Sequence, residues 1–131
     1  MSSRSKELGS LSETEMSVMR TIWGLENPVT VQQVLGIYQK SKGWKTSTLS
    51  TILKRLIEKG FLTKNMVGKV NYYSYLVTEE DYKKHETASF LASVHKGSIK
   101  SFMAALADVD GIEVKEVAEL KKWFQEKAGD D

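Results

Sequence analysis

The hydrophobic residues of the first sixty positions recur at helical spacing and predict three successive helices. Ser12 and Glu15 form a capping-box pattern at the start of the first helix, and Thr30 and Gln33 repeat this pattern at the start of the second. The second helix is expected to end around Gly43. The apolar faces of these two helices comprise Met16, Met19, Ile22, Trp23, Val31, Val34, Leu35 and Tyr38.

The third predicted helix follows Trp44, and Thr46 or Ser47 is expected to cap its N-terminus. Gly60 is placed to end this helix, because glycine readily adopts the left-handed conformation found after many helices. The residues predicted to form its buried face are Leu49, Ile52, Leu53, Leu56 and Ile57.

The hydrophobic period changes from helical to alternating after Gly60. This change predicts one strand that opens at residues 61–63 and a second over residues 70–77, with Gly68 in the connecting turn. Three helices followed by a hairpin are the order of a winged helix-turn-helix. We therefore predict a mainly α (α+β) fold, with the winged helix over residues 11–77 and a flexible arm over residues 1–10.

The pattern is helical again from Thr78, which with Asp81 is expected to cap the first of three further helices. Asp110 with Glu113 is expected to cap the last. About 50 residues bury too little surface to hide three apolar helix faces. We therefore predict that residues 78–131 form a dimerisation region. The predicted contacts with a second copy are Phe90, Leu91, Phe102, Met103, Leu106, Val117, Leu120, Trp123 and Phe124.

The formal net charge of +2 hides two halves of opposite sign. Residues 1–76 hold 11 Lys and Arg against 5 Asp and Glu, a net of +6, whereas residues 77–131 hold 8 against 12, a net of −4. Between residues 40 and 69, eight basic side chains face a single acidic one, Glu58. Such a basic patch is typical of a surface that binds a polyanion.

The 131 residues include no cysteine and two histidines, His85 and His95. Disulfides and cysteine nucleophiles are therefore excluded. The histidines lie ten positions apart along a predicted helix, so we do not expect them to converge on one metal within a monomer. No phosphate loop, catalytic triad or carboxylate pair is present, so we predict that the protein is not an enzyme and uses no metal or other cofactor. No apolar run approaches the roughly 20 residues of a membrane span, which favours the cytoplasm and no membrane partner.

The polar face of the third helix is the candidate surface for double-stranded DNA. Short hydroxyl side chains near its N-terminus allow the backbone to approach the major groove, and cations one turn later are placed for phosphates. Two lysines around Gly68 suit phosphate or minor-groove contact. The residues predicted to bind DNA are Lys45, Thr46, Ser47, Thr48, Ser50, Thr51, Lys54, Arg55, Lys64 and Lys69.

Three stretches in this order and spacing carry a family resemblance. They are Leu11-Ser12-Glu13-Thr14-Glu15 with Val18-Met19 and Ile22-Trp23, the run from Trp44 to Gly60, and Gly68-Lys69 with Tyr73. From Leu11 to about Lys127 the chain resembles the BlaI/MecI penicillinase-repressor family of bacteria, which includes the copper-responsive CopY repressors. The resemblance implies a transcriptional repressor that binds a pseudo-palindromic operator as a homodimer, with half-sites of the TACA/TGTA type.

The sequence departs from this family in three places. Lys45 stands where the family usually has a small residue, which adds a cation before the third helix. The copper-responsive members end in a cysteine cluster, so copper sensing by that route is not expected in a chain without cysteine. Ala105-Leu106 aligns with the Asn-Phe bond that a sensor protease cuts in the penicillinase repressors, which argues against induction by cleavage. The inducer and any sensor protein stay open.

Two other functions stay open from the sequence. The winged helix could serve as an adaptor whose basic surface meets an acidic protein, or the chain could be a small-molecule-responsive regulator with a pocket between its halves. Salt-dependent retention on random DNA, with added preference for an inverted repeat, distinguishes the repressor from the adaptor. For the repressor, we expect residues 1–76 alone to fold but to bind one operator poorly.

Overall fold

The computed structural model describes residues 8–129, which fall into two compact units that divide between Glu86 and Thr87. The first unit holds helices α1 (Glu13–Gly24), α2 (Val31–Lys42) and α3 (Thr46–Glu58) and strands β1 (Val29–Thr30), β2 (Leu62–Val67) and β3 (Val70–Tyr75). Helix α4 (Glu79–His95) starts in the first unit and ends in the second, which also contains α5 (Ile99–Ala107) and α6 (Val114–Gly129). The mainly helical fold with a small antiparallel sheet confirms the predicted fold class.

A single hydrophobic core holds the first unit together. The apolar faces of α1, α2 and α3 meet at its centre, and Phe61, which follows α3, is fully buried there. Gly60 makes this turn possible, because its φ of 90° lies in the left-handed region that other residues avoid. The Phe61 N–H then donates to the carbonyl of Leu56 at 2.9 Å, which closes the end of α3.

The sheet has one strand more than the sequence predicts. Strand β1 pairs with β3, with Val29 opposite Tyr73 and Thr30 opposite Tyr72, so that β3 lies between β1 and β2. Two residues are too few to show an alternating pattern. Thr30 also caps α2 by accepting the Gln33 N–H, which is the feature that the sequence reveals.

The hydroxyl caps predicted for the first, second and fourth helices are confirmed, because each accepts the N–H three residues later. The predicted cap of α3 by Thr46 or Ser47 is wrong. Lys45 occupies the cap position, and a lysine side chain has no oxygen to accept a helix N–H. Only its backbone carbonyl takes part, accepting from the N–H groups of Thr48 and Leu49.

The predicted cap of the last helix by Asp110 is also wrong. Helix α6 begins at Val114, three residues further on than a cap at Asp110 requires. At this start the Glu113 N–H donates to the Glu116 carboxylate at 3.4 Å. The carboxylate at this helix end is therefore that of Glu116 in the first turn, and not that of Asp110 before the helix.

Glu15 and Lys59 form an ion pair between the start of α1 and the end of α3. Glu15 Oε1 lies 2.6 Å from Lys59 Nζ, which also donates to the Ser10 carbonyl at 2.8 Å. Leu8 packs against the core, so the predicted arm contacts the winged helix through Leu8 and Ser10. The first seven residues of the predicted arm lie outside the described residues.

The ion pair controls the ionisation of Glu15. Burial alone raises its pKa, but hydrogen bonds from Lys59 and the Ser12 N–H, together with the Lys59 charge, outweigh burial and lower the pKa below 4.5. A carboxylate with a lowered pKa stabilises the fold above its unfolded pKa, and this contribution is lost as the pH falls through the folded pKa.

We expect Glu15→Gln to lower the free energy of unfolding at neutral pH by about 1 to 3 kcal/mol. The difference from the wild type should shrink as the pH falls below 4.5 and through the lowered pKa of folded Glu15, because the wild-type carboxyl then becomes protonated and neutral like the glutamine amide. Urea unfolding followed by tryptophan fluorescence at a series of pH values measures this, with Glu13→Gln as an exposed control at the same helix end. A difference that stays constant with pH contradicts the assignment.

The second unit differs from the first because none of its described residues, 87–129, is buried. Helix α4 ends with Lys96 and Gly97 in left-handed conformations, and Ser98 caps α5. Phe90, His95 and Phe102 pack edge to face with centroid separations of 5.4 to 6.4 Å. The apolar residues of this unit therefore contact one another but keep substantial exposed surface.

Candidate nucleic-acid interface

The exposed surface of α3 contains every residue that the sequence predicted for that helix. These residues lie opposite the buried side chains of Leu49, Leu53 and Leu56. Helical spacing aligns the side chains three and four positions apart into rows along the surface. The exposed residues are Lys45, Thr46, Ser47, Thr48, Ser50, Thr51, Lys54 and Arg55.

Positive charge dominates this surface. Helix α3 has no acidic residue before Glu58, its last position. Within residues 8–129, the side chains of Lys45, Lys54 and Arg55 make no ion pair. Lys59 belongs to the same basic run of the sequence but is committed to Glu15, so it is a structural residue here. The three remaining cations are available to a polyanion.

Contacts at both ends hold α3 in place. Before its start, Trp44 stacks on Tyr38 with ring centroids 4.3 Å apart and an interplanar angle of 10°. The Tyr38 hydroxyl in turn lies 2.7 Å from Ser17 Oγ of α1. The Glu15 and Lys59 pair fixes the other end. A helix anchored in this way presents its exposed side chains in a defined orientation.

The Thr51 hydroxyl already donates a hydrogen bond within α3. Its Oγ1 donates to the Ser47 carbonyl at 3.0 Å, one turn earlier in α3. The proton is therefore committed, and Thr51 can offer a ligand its methyl group or an oxygen lone pair. A thymine methyl or a base-edge donor suits these groups.

A shallow groove of about 370 Å³ separates the start of α1 from α3. It is lined by Ser12, Thr14, Glu15, Thr48, Thr51, Ile52 and Arg55. The α1 hydroxyls and the α3 surface lie far apart along the chain, so no local sequence pattern connects them. Only the tertiary fold brings them together.

The wing comprises β2, β3 and the two-residue turn Gly68-Lys69. Val67 and Val70 form its last pair, and the φ of 64° at Gly68 explains why glycine begins the turn. Lys64 and Lys69 are exposed, as their predicted role requires. The wing follows α3 directly, so its cations lie on the same unit as the basic helix.

The described residues contain no cluster of three or more His, Cys, Asp or Glu arranged to hold a metal ion. Across residues 8–129, no helix has both the length and the apolar character to cross a membrane.

A basic, hydroxyl-rich helix followed at once by a two-stranded wing defines a winged-helix DNA-binding protein. The family model described as penicillinase repressor matches residues 11–126. The chain belongs to this family of DNA-binding repressors, which are not enzymes. The resemblance found in the three sequence stretches is thus confirmed.

Individual relatives cover nearly the whole chain. A penicillinase repressor of Bacillus licheniformis is 29% identical over 121 residues, which span 92% of this chain and 94% of the relative. The methicillin resistance regulatory protein MecI of Staphylococcus aureus (strain N315) is 27% identical over 117 residues, which span 89% and 94%. The solution structure of the DNA-binding domain of the repressor BlaI has 33% identity and a TM-score of 0.50, covering 56% of this chain and 88% of that one.

The residues predicted to form a dimer retain exposed surface in the single chain. Leu91, Phe102, Met103, Leu106 and Leu120 are partly buried, and Phe90, Val117, Trp123 and Phe124 are exposed.

An apolar groove of about 300 Å³ is formed by α5, α6 and the loop between them. It is lined by Met103, Leu106, Ala107, Ile112, Glu116, Val117 and Leu120. A second groove of about 420 Å³ shares Met103, Val117 and Leu120 with the first and extends to Phe124. We call these two grooves together the α5–α6 groove. Its lining contains one carboxylate and one lysine among mainly apolar side chains.

Proposed function

We propose that the protein represses transcription in the cytoplasm as a homodimer that binds a pseudo-palindromic DNA operator. The observation that carries this proposal is the exposed surface of α3, which combines hydroxyl groups with unpaired cations and has no acidic residue before Glu58. An ordinary solvated helix intersperses both signs of charge. A surface with cations alone suits the phosphate backbone.

The two kinds of side chain on α3 have separate roles in this proposal. Thr46, Ser47, Thr48, Ser50 and Thr51 lie in the first half of the helix, where a recognition helix meets base edges in the major groove. The cations contact phosphates, which position the protein without reading sequence. The cations assigned to phosphate are Lys45, Lys54, Arg55, Lys64 and Lys69.

Exposed apolar surface supports the dimer. A monomer in water would leave the α5–α6 groove and the rings of Trp123 and Phe124 in contact with solvent. Covering this surface with the same surface of a second copy removes apolar area from water and forms a two-fold symmetric interface. We therefore propose residues 78–131 as the dimerisation region and residues 11–77 as the DNA-binding domain. The start of the dimerisation region also belongs to the first compact unit, because Tyr82 packs in the core of that unit.

Selection from a random pool of duplexes with the full chain tests the proposal. We expect an inverted repeat whose half-sites lie about one helical turn, roughly 34 Å, apart. Family membership makes half-sites of the TACA/TGTA type the expectation. Thr51→Glu, which adds a carboxylate to the exposed surface of α3, is the control and should enrich nothing. If selection with the wild-type chain enriches no motif, or enriches a single motif that is not repeated, the proposed homodimer on an inverted repeat is contradicted.

A fragment that contains the first unit alone should fold and bind a half-site weakly. The fragment must extend past residue 76, because Trp23 Nε1 donates to the Val77 carbonyl at 2.9 Å and Tyr82 contacts the rings of Trp23 and Phe61. We expect residues 1–86 to melt cooperatively but to bind the full operator at least about 100-fold more weakly than the full chain, since avidity is lost. Calorimetry and anisotropy titrations measure both, and equal affinities refute the role given to the dimer.

A further inference from the structure

Helix α6 carries an apolar stripe that stays half-exposed in the single chain. Val117 is 49% exposed and Phe124 47%, and Leu120 between them is partly buried. Their spacing of three and then four residues places them along one side of the helix. The same spacing separates the a and d positions through which helices pair in coiled coils. We call these three residues the α6 stripe.

One acidic and one basic side chain flank the α6 stripe. By helical geometry, Glu116 lies roughly 70° to one side of the midline of the stripe and Lys121 roughly 70° to the other. Both are exposed and both line the α5–α6 groove. Within residues 8–129 neither makes an ion pair, and the Glu116 carboxylate accepts the Glu113 N–H at 3.4 Å. Both charges are therefore available to a second chain.

The positions of the two charges favour one orientation of two identical helices. In a parallel pair related by a two-fold axis, each flank of one helix faces the opposite flank of the other. In an antiparallel pair, like flanks face each other. Glu116 and Lys121 are five positions apart, which is the separation of the g and e positions that meet across a parallel pair. Only the parallel orientation brings each carboxylate to the lysine of the second copy.

We propose that α6 pairs in parallel with α6 of a second copy, and that two reciprocal ion pairs between Glu116 and Lys121 select this orientation and this partner. The proposal rests on the proposed homodimer and adds the residues that decide which chains pair. Apolar burial along the stripe favours association but is not directional. Charges at the rim supply the selectivity, because a chain with the wrong sign at either position meets like charges.

Exchange of the two charges tests this selectivity in the full-length protein. Glu116→Lys places cations on both flanks and Lys121→Glu places carboxylates on both. Each single variant should therefore dimerise about tenfold more weakly than the wild type, since two attractive pairs become repulsive. The variant with both substitutions should recover the wild-type dissociation constant. Sedimentation at low and at high salt measures these constants, and the differences should shrink at high salt.

A mixture of the two single variants gives a sharper test. Their heterodimer has opposite charges across both flanks, whereas each homodimer has like charges. Random pairing yields about half heterodimer, and we expect more than about 80%. Native mass spectrometry separates the three dimers when one variant carries an N-terminal tag. Lys122→Glu is the matched control, because Lys122 is exposed and lies about 200° around α6 from Leu120. Mixed with Glu116→Lys, it should pair at random.

Disulfide formation tests the orientation, because the chain has no cysteine of its own. Val117 and Phe124 lie two turns apart, about 10 Å along α6. In a parallel pair each of them faces itself in the second copy, so Val117→Cys and Phe124→Cys should each cross-link under mild oxidation. In an antiparallel pair only a residue near the two-fold axis can do so. Ala118→Cys, on the opposite side of α6, should not cross-link.

The outcomes separate this proposal from the proposed homodimer. Variants that dimerise as tightly as the wild type and mix at random overturn the ion-pair proposal and leave the homodimer intact. The variant with both substitutions guards against misfolding, and its failure to recover association also overturns the ion pairs. Absence of cross-linking at either cysteine position overturns the parallel orientation. A wild-type chain that sediments as a monomer at micromolar concentration overturns both the homodimer and this proposal.

Discussion

Leu120→Asp is expected to convert the protein to a monomer and to weaken operator binding at least about 100-fold. Leu120 lines both parts of the α5–α6 groove, so a carboxylate there is placed where a second copy would exclude water. Burying an unpaired charge opposes association, whereas in the monomer the same carboxylate stays hydrated. The first unit does not contain this residue, so the winged helix should keep its fold and its weak binding to a half-site.

Ala118→Asp is the matched control for this prediction. Ala118 is exposed, does not line the groove, and lies about 200° around α6 from Leu120. It adds the same charge to the opposite side of the same helix and should remain dimeric. Sedimentation at micromolar concentration and anisotropy titration with the operator measure the two properties. A wild-type monomer with tight operator binding, or a dimeric Leu120→Asp protein, contradicts the shared interface.

Local patterns in the sequence were sufficient to predict most of the helices. Ser12 and Thr30 were recognisable as caps because a cap and its partner lie three residues apart. The buried face of α3 was recognisable because its leucines and isoleucines repeat at helical spacing. The opposite side of that helix was therefore correctly predicted to be exposed, which located the candidate interface.

Features that depend on distant residues could not be predicted in this way. Glu15 and Lys59 are 44 positions apart, and no local pattern distinguishes Lys59 from the free lysines of the same basic run. Strand β1 has two residues and owes its existence to pairing with β3. The cap of α3 was wrong because the sequence rule favours hydroxyl residues, whereas the structure begins the helix one residue after Lys45.

The exposure of the apolar residues in the wing could not be predicted from the sequence either. The alternating pattern of apolar and polar residues predicted the two strands. It did not show where along the hairpin the pairing with β1 ends. Val67 and Val70 resemble core residues in the sequence, yet they lie beyond the last pair made by β1 and are exposed. A hydrophobic residue near a hairpin turn therefore becomes interpretable only when the full set of strand pairs is known.

Separate substitutions on α3 should distinguish phosphate contacts from base contacts. We expect Lys54→Ala and Arg55→Ala each to weaken binding to all duplexes and to reduce the slope of log affinity against log salt by about 1. The preference among operator variants should change little, because phosphates are the same in every sequence. Combining the two substitutions should reduce the slope by about 2 if each side chain contacts its own phosphate.

Thr48→Ala and Thr51→Ala should instead relax the preference at particular operator positions by on the order of 1 kcal/mol for each lost base contact, with the salt slope unchanged. Thr51 permits a sharper test, because its proton is bound to the Ser47 carbonyl. Thr51→Val keeps a methyl group and removes the oxygen, whereas Thr51→Ser keeps the oxygen and removes the methyl group. If Thr51 contacts a thymine methyl, the valine variant should retain the base preference and the serine variant should lose it. Titrations against single-base operator variants at several salt concentrations measure both properties. If the lysine and threonine variants behave alike, the assignment of phosphate contacts to the cations and base contacts to the threonines is wrong.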